Sequence, residues 1–277
     1  MPSEARAILH VGAGKCGSSA LQRSLSLKPA MRSASGQAVE YVVISNAGEV
    51  LRGRAVTEIA ERSVYGYASS PDPVTDAPVE IVARGLRGVA GIAGPVLPVL
   101  SCEGWGVKHA LFREARLLDQ AGLDAEAVIY VRPQLDWLNS GWWQWGAWGG
   151  HPLEHWLRSA VHEARWDRLV RAWREMPGVG RVHLRLATGD VPADFGRLLG
   201  VDLAGGGRVN SGSDGLLLCL RVAPLQHRGD GIEPDGGGLL EPGIRHHLER
   251  GCARLHGHGL AGRDAREHRL YDWRLRL

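Results

Sequence analysis

The sequence of 277 residues is poor in cysteine and has no long apolar run, and each shortage excludes a class of protein. The cysteines lie far apart and form no CxxC pair, which argues against a disulfide scaffold and against a ribbon-type zinc site. The most apolar stretch, residues 88–100, is interrupted by Pro95 and Pro98 and is too short to span a bilayer. The four cysteines are Cys16, Cys102, Cys219 and Cys252.

The chain also lacks a large excess of charge of either sign. Lysine and arginine together number 33 against 30 acidic residues, so the net charge is +3, and neither nucleic acid nor an anionic membrane is expected as a partner. The first residues show no basic flank followed by a long apolar stretch, so we expect no secretory signal and a soluble, cytoplasmic protein. Lysine is scarce and occurs only as Lys15, Lys28 and Lys108.

Short apolar runs alternate with segments of helical periodicity along most of the chain. The runs predict strands at residues 7–11, 41–44, 96–100, 127–131 and 181–186. The periodic segments predict helices at residues 18–27, 80–89, 112–121, 136–148 and 194–199, and one or two helices within residues 153–176. Apolar strands separated by helices are typical of a parallel sheet that is covered on both faces. We therefore predict an α/β fold, a single domain with a mostly parallel sheet, over residues 1–215.

Residues 216–277 differ in composition from the rest. Glycine and arginine are frequent there and hydrophobic periodicity is weak, so we predict a helical or loop-rich extension of the same domain, partly disordered. Five histidine and cysteine residues in this segment have a spacing that matches no zinc pattern, and no metal site is predicted. These residues are His246, His247, Cys252, His256 and His258.

A glycine-rich segment with the sequence GAGKCGSS, residues 12–19, lies between the first predicted strand and the first predicted helix. Glycines let the backbone approach an anion, and a helix N-terminus presents free N–H groups to it. Gly12, Gly14 and Gly17 match the GxGxxG pattern of dinucleotide-binding loops. Such a site also needs an acidic residue at the end of the second strand, to hold the ribose. The candidate acid, Glu40, precedes that strand, which weakens this interpretation. A nucleotide-kinase loop of the Walker A type needs a lysine where Ser18 stands.

The third interpretation rests on the order Lys-x-Gly-Ser-Ser and on a second motif. The strand at residues 127–131 is followed by Arg132, and Ser140 comes eight residues later on the next predicted helix. With these two motifs the chain, over roughly residues 5 to 215, resembles the P-loop-fold sulfotransferases that use 3′-phosphoadenosine 5′-phosphosulfate (PAPS). Residues 181–201 and 208–211 resemble a bacterial carbohydrate-type branch of that family, but the family's C-terminal Arg-Lys-Gly loop is absent.

The resemblance implies the cofactor and its binding residues. PAPS would donate the sulfuryl group without a metal, and adenosine 3′,5′-bisphosphate would be the product. Arg132 and Ser140 would bind the 3′-phosphate, for which an arginine fork and a helix hydroxyl are suitable ligands. The phosphosulfate would be held by Gly14, Lys15, Cys16, Gly17, Ser18 and Ser19.

Sulfuryl transfer needs a base at the acceptor and a cation at the leaving phosphate. We expect Lys15 to be the cation and Glu103, which follows the strand at 96–100, to be the base, with His109 as the alternative. A nearby lysine and helix N-terminus could lower the pKa of Cys16 and make it a reactive thiol, but a small loop residue is the preferred interpretation.

The acceptor is expected to be a saccharide or natural product that offers a hydroxyl group, with an amine less favoured. Eight of the ten tryptophans lie between Trp137 and Trp173, and Trp143 could line the acceptor cleft. Core positions are expected for Trp142, Trp145 and Trp148.

Two other functions remain open at this point: an ATP-dependent small-molecule phosphotransferase, and a nucleotide-binding protein without turnover.

Overall fold

The computed structural model describes residues 5–73, 76–147 and 152–203. Six strands form one sheet in the order β2-β3-β6-β1-β7-β8, and a separate hairpin pairs β4 with β5. Neighbouring strands of the main sheet are parallel, apart from the antiparallel pair β2 and β3. The strands are β1 (Ala5–His10), β2 (Ala30–Arg32), β3 (Ala38–Tyr41), β4 (Val43–Ile44), β5 (Val50–Leu51), β6 (Val96–Ser101), β7 (Leu123–Val131) and β8 (Val179–Leu186).

Helices flank this sheet, so the predicted α/β class with a mostly parallel sheet is confirmed. A π-helical turn, Trp142–Gly146, continues directly from one of them. The helices are α1 (Ser18–Leu27), α2 (Arg54–Arg62), α3 (Val79–Ile92), α4 (Gly104–Val107), α5 (His109–Glu114), α6 (Leu117–Gln120), α7 (Gln134–Gly141), α8 (Leu153–Glu163), α9 (Trp166–Arg174) and α10 (Val191–Leu199).

Three predicted elements differ from the structure, and β2, β5, α2 and α4 have no predicted counterpart. The strand expected at 41–44 is divided, because Tyr41 ends β3 in the main sheet while Val43 begins the hairpin. The helix expected at 112–121 is two short helices, separated at Arg116, whose φ of 46° lies in the left-handed region and ends the first helix. The helix expected at 136–148 leaves α-helical geometry at Trp142.

The centre of the sheet determines where a site can form. β1 pairs with β6 on one side and with β7 on the other, and Leu9 lies opposite both Leu100 and Ala127. These residues are buried on both faces of the sheet, as the apolar runs predicted. Because the three strands are parallel, their carboxyl ends meet at one edge, which is where open α/β sheets bind ligands. The segments that follow β1, β6 and β7 are therefore neighbours.

The predicted extension at residues 216–277, with its histidines, lies outside the described residues, as do residues 208–211 and Trp148. In the described ranges no helix has the length and apolar character needed to cross a membrane.

Candidate active site

The loop between β1 and α1 has a backbone that glycine makes possible. Gly17 has a φ of 90° and Lys15 a φ of 65°, so both lie in the left-handed region, which a residue with a side chain adopts only at a cost. A Cβ on Gly17 would lie 2.7 Å from Cγ2 of Val191, and a Cβ on Gly12 would lie 2.9 Å from Ser18 Oγ. The loop is therefore tightly wrapped around the N-terminus of α1.

Arg132, which follows β7, lies against this loop. Its Nη1 donates a hydrogen bond to the main-chain oxygen of Lys15 over 3.3 Å. The pKa of Lys15 is lowered, mainly by burial and then by the charge of Arg132, while the charge of Glu103 opposes the decrease. Three charged groups predicted from separate parts of the sequence are thus close enough to influence one another.

Glu103 reaches the loop from the end of β6. Its Oε1 lies 3.5 Å from the point that a Cβ on Gly14 would occupy. Burial raises the pKa of Glu103 above its ordinary value, and the Ser18 hydroxyl and the Lys15 ammonium partly offset this increase. The following turn packs directly on the loop, since a Cβ on Gly106 would lie 2.5 Å from the carbonyl oxygen of Gly12. Glu103 is therefore fixed beside the loop by its own backbone.

His109, the alternative base, has a different environment. It begins α5, and its pKa is lowered by burial and by the charge of Arg113 on the same helix. The groups that act on Glu103 are instead Ser18 and Lys15, both from the loop. The geometry therefore favours Glu103 over His109.

The three polar side chains of the loop end have distinct surroundings. Ser18 is only 2% exposed, and within the described part of the chain its Oγ makes no hydrogen bond of ordinary geometry. Ser19 interacts with the hydroxyl of Tyr67, an interaction that partly offsets the increase of the Tyr67 pKa by burial. Cys16 is fully buried, and burial raises its pKa to about 12, so it is a protonated thiol and only its main chain is left to face an anion.

The helix that contains Ser140 also contacts the loop. Trp137 Nε1 donates a hydrogen bond to the carbonyl oxygen of Gly14 over 2.8 Å. Ser140 is half-buried on the same helix, and the spacing of three residues places it on the face of Trp137. The indole of Trp166 donates to the carbonyl oxygen of Arg132 over 2.8 Å. Tryptophan indoles thus hold the main chain of Gly14 and of Arg132.

The tryptophans after α7 are buried to different degrees, and Trp145 packs against the edge of the core. Trp142 is buried as expected, but Trp145 is only half-buried, and its Cη2 lies 3.4 Å from the Cβ position of Gly14. The π-helical turn changes the angular spacing of the side chains, so the helical face inferred from a period of 3.6 residues does not apply. Trp145 lies against the loop, where Oε1 of Glu103 approaches the same Cβ position of Gly14.

The residues present fit a phosphate or sulfate ester. The loop offers a helix N-terminus, the ammonium of Lys15, and the buried hydroxyl of Ser18, which has no other ordinary hydrogen bond among described residues. The carboxyl group of Glu103, by contrast, lies to one side of the loop, and in its ionised form it would accept a proton rather than bind an anion. In the described ranges, no group of three His, Cys, Asp or Glu side chains is arranged to hold a metal ion.

No family model matches this sequence, and no curated protein matches it. Among solved structures, a sulfotransferase from Alicyclobacillus acidocaldarius is similar in fold. The sequence identity is 16% and the TM-score 0.39, and the match covers 89% of this chain and 91% of that chain. This similarity is too low for the family of the present chain to follow from it.

Proposed function

We propose that this protein transfers a sulfuryl group from PAPS to an acceptor hydroxyl. The observation that supports the proposal most strongly is the meeting of Lys15, Ser18, Glu103 and Arg132 at one glycine-rich loop. A cation, a hydroxyl donor, a carboxylate base and a second cation are the groups that this reaction needs.

The bond changes assign a role to each side chain. When bound, PAPS supplies a sulfuryl group whose leaving group is a phosphate. A new S–O bond forms to the acceptor oxygen, the S–O bond to the phosphate breaks, and its electron pair stays on adenosine 3′,5′-bisphosphate. Glu103 takes the proton of the acceptor hydroxyl. Lys15 neutralises the charge that develops on the leaving oxygen.

The remaining residues bind and orient. Ser18, Ser19 and the main-chain N–H groups of residues 14–17 would hold the phosphosulfate oxygens at the N-terminus of α1. Arg132 and Ser140 would hold the 3′-phosphate, which distinguishes PAPS from ATP. The acceptor we propose is a saccharide or a glycosylated natural product, in keeping with the carbohydrate-type resemblance, and the half-buried indole of Trp145 near Glu103 is a side chain on which a sugar ring could pack.

Turnover with matched lysine variants tests this function. The protein is incubated with PAPS and a panel of saccharides and phenolic glycosides, and sulfated products are detected by mass spectrometry. Lys15→Ala and Glu103→Gln should each reduce the rate by about 10²-fold or more. Lys28→Ala, which alters a lysine bonded to the carbonyl oxygen of Asp202, should leave the rate unchanged. Equal rates for Lys15→Ala and Lys28→Ala would contradict the proposal, as would donor binding without any product.

A further inference from the structure

His10, the last residue of β1, has an imidazole ring that is fixed in place. The residue is fully buried, and its Nδ1 lies 2.7 Å from Ser101 Oγ at the end of β6. The rings of Tyr130 and Phe195 meet it edge-on, with centroid distances of 5.9 and 6.3 Å. These contacts hold the imidazole ring in one orientation, so the direction of its second nitrogen, Nε2, is fixed.

That second nitrogen faces the loop. His10 Nε2 has no hydrogen-bond partner among the described residues, and Ser18 Oγ, which interacts with Glu103, makes no hydrogen bond of ordinary geometry there. Both atoms lie 2.9 Å from the point that a Cβ on Gly12 would occupy, so they face each other across this glycine at no more than twice that distance. A buried polar atom without an ordinary hydrogen bond destabilises a fold, and two such atoms on either side of one glycine indicate a shared role.

The position of one proton decides what Ser18 can do. Burial lowers the pKa of His10 to about 4, so the ring is neutral near pH 7 and has a single N–H. If Nε2 holds that proton, it can donate to Ser18 Oγ, and the Ser18 hydroxyl proton is left for an anion. If Nδ1 holds it, Nε2 accepts the Ser18 proton and Ser18 offers the anion only lone pairs.

We propose that His10 is a positioning residue of the loop: Ser101 donates to its Nδ1, and when an anion binds, its Nε2–H donates to Ser18 Oγ and keeps Ser18 as a donor to that anion. The inference rests on the proposed function only in requiring that the loop binds a phosphate or sulfate group. His10 touches neither donor nor acceptor, and it acts through Ser18. It also links the end of β6, which positions Glu103, to the loop.

The tautomer of His10 is the first test, and it needs no ligand. The ¹⁵N and ¹³C chemical shifts of the His10 ring in the labelled full-length protein distinguish the Nε2–H form from the Nδ1–H form. The proposal predicts the Nε2–H form. The Nδ1–H form at neutral pH would overturn it, whatever the protein binds.

A double-mutant cycle is the second test, with inorganic pyrophosphate and adenosine 3′,5′-bisphosphate as probes in calorimetry. His10→Asn keeps a polar group near Nδ1, whereas His10→Gln extends an amide N–H towards the position of Nε2. His10→Asn and Ser18→Ala should each weaken binding by about tenfold, and the double variant by little more than either. His10→Gln should restore most of the affinity. Additive losses, or equal affinities of His10→Asn and His10→Gln, would indicate mere packing and overturn the proposal.

The two probes separate this inference from the proposed function. Binding of pyrophosphate together with rejection of the bisphosphate would contradict the sulfotransferase proposal, and the coupling of His10 to Ser18 would still be measured on pyrophosphate. Failure of the wild-type protein to bind either probe would contradict both.

Discussion

At the scale of single residues, burial and two neighbours set the properties of Glu103. Burial raises its pKa, which makes it a stronger base than an exposed glutamate, while Lys15 and Ser18 stabilise its ionised form. The same lysine stands at the leaving phosphate in the proposed reaction. One ammonium group therefore affects both the base and the leaving group.

Removing that ammonium should raise the pKa of Glu103. In Lys15→Met the favourable charge is lost while burial remains, so the carboxyl group should titrate at a higher pH than in the wild type. The base acts only when it is ionised. In the pH profile of any residual activity, the decrease on the acid side should therefore move to a correspondingly higher pH. The measurement is a ¹³C NMR titration of the Glu103 carboxyl group, assigned with Glu103→Gln. A Glu103 pKa that is the same in Lys15→Met and in Lys28→Met would contradict this electrostatic account.

A methyl group on Gly12 should damage the loop. In Gly12→Ala the new Cβ would lie 2.9 Å from both His10 Nε2 and Ser18 Oγ, and neither can move far because both are buried. We expect the free energy of unfolding to fall by about 1–3 kcal/mol and the affinity for adenosine 3′,5′-bisphosphate to fall with it. Gly91→Ala is the matched control, because a Cβ there meets nothing within 4 Å in α3, and this change should be neutral or stabilising. Equal behaviour of the two variants in denaturant unfolding and calorimetry would refute the close packing of the loop.

At the scale of elements, α7 and its π-helical turn hold the loop from one side. Gly146 belongs to this turn, and a Cβ there would overlap the ring of Trp142, so glycine allows the turn to close against its own tryptophan. Trp137 and Trp145 on this segment lie with ring centroids 6.0 Å apart, and both meet Gly14. The segment therefore joins the strand end at Arg132 to the middle of the loop.

The hydrogen bond from Trp137 to the loop can be removed with little loss of packing. Trp137→Phe keeps an aromatic ring but deletes the N–H that bonds the Gly14 carbonyl oxygen. One net hydrogen bond contributes about 0.5–1.5 kcal/mol, so the affinity for adenosine 3′,5′-bisphosphate should fall by roughly two- to tenfold while the protein stays folded. Trp156→Phe, which changes a ring packed on Trp142, is the control and should keep its affinity. Unaltered affinity in Trp137→Phe would show that this bond does not support the loop.

How much of these elements the sequence predicts depends on whether the signal is local. Helix α1 begins at Ser18 and ends at Leu27 as predicted, because a glycine turn and helical periodicity mark it within ten residues. The π-helical turn has no such signal, since it depends on how Gly146 and Trp142 pack. The contact between Trp137 and Gly14 joins residues 123 positions apart and could not be foreseen.

At the scale of the whole molecule, the strand order accounts for the site. β1 lies between β6 and β7, so Lys15, Glu103 and Arg132 follow three adjacent parallel strands. The sequence predicts each strand end separately, and the parallel α/β class then implies that they meet at one edge. The role of His10 was not predicted, because a buried histidine shows its importance only through the neighbours that the fold supplies.

The buried His10 should make global stability depend on pH. Its pKa is lowered from 6.5 to about 4 in the folded protein, so below pH 6.5 the unfolded chain binds a proton that the folded chain does not. This group should therefore lower the free energy of unfolding by about 2 kcal/mol between pH 7 and pH 5. Denaturant unfolding at both pH values should show a smaller decrease in His10→Gln than in the wild type or in His155→Gln, which alters an exposed histidine. The same decrease in all three would contradict a neutral, buried His10.

The most direct test of the central claim is calorimetric binding of adenosine 3′,5′-bisphosphate beside 5′-AMP and ATP–Mg²⁺. We predict that the wild-type protein prefers the bisphosphate and that Arg132→Ala loses this preference. Arg54→Ala, which removes an exposed arginine paired with Glu58, should keep it. Preference for ATP–Mg²⁺, or a preference for the bisphosphate that survives in Arg132→Ala, would contradict the assignment of this loop and strand end to a sulfuryl donor.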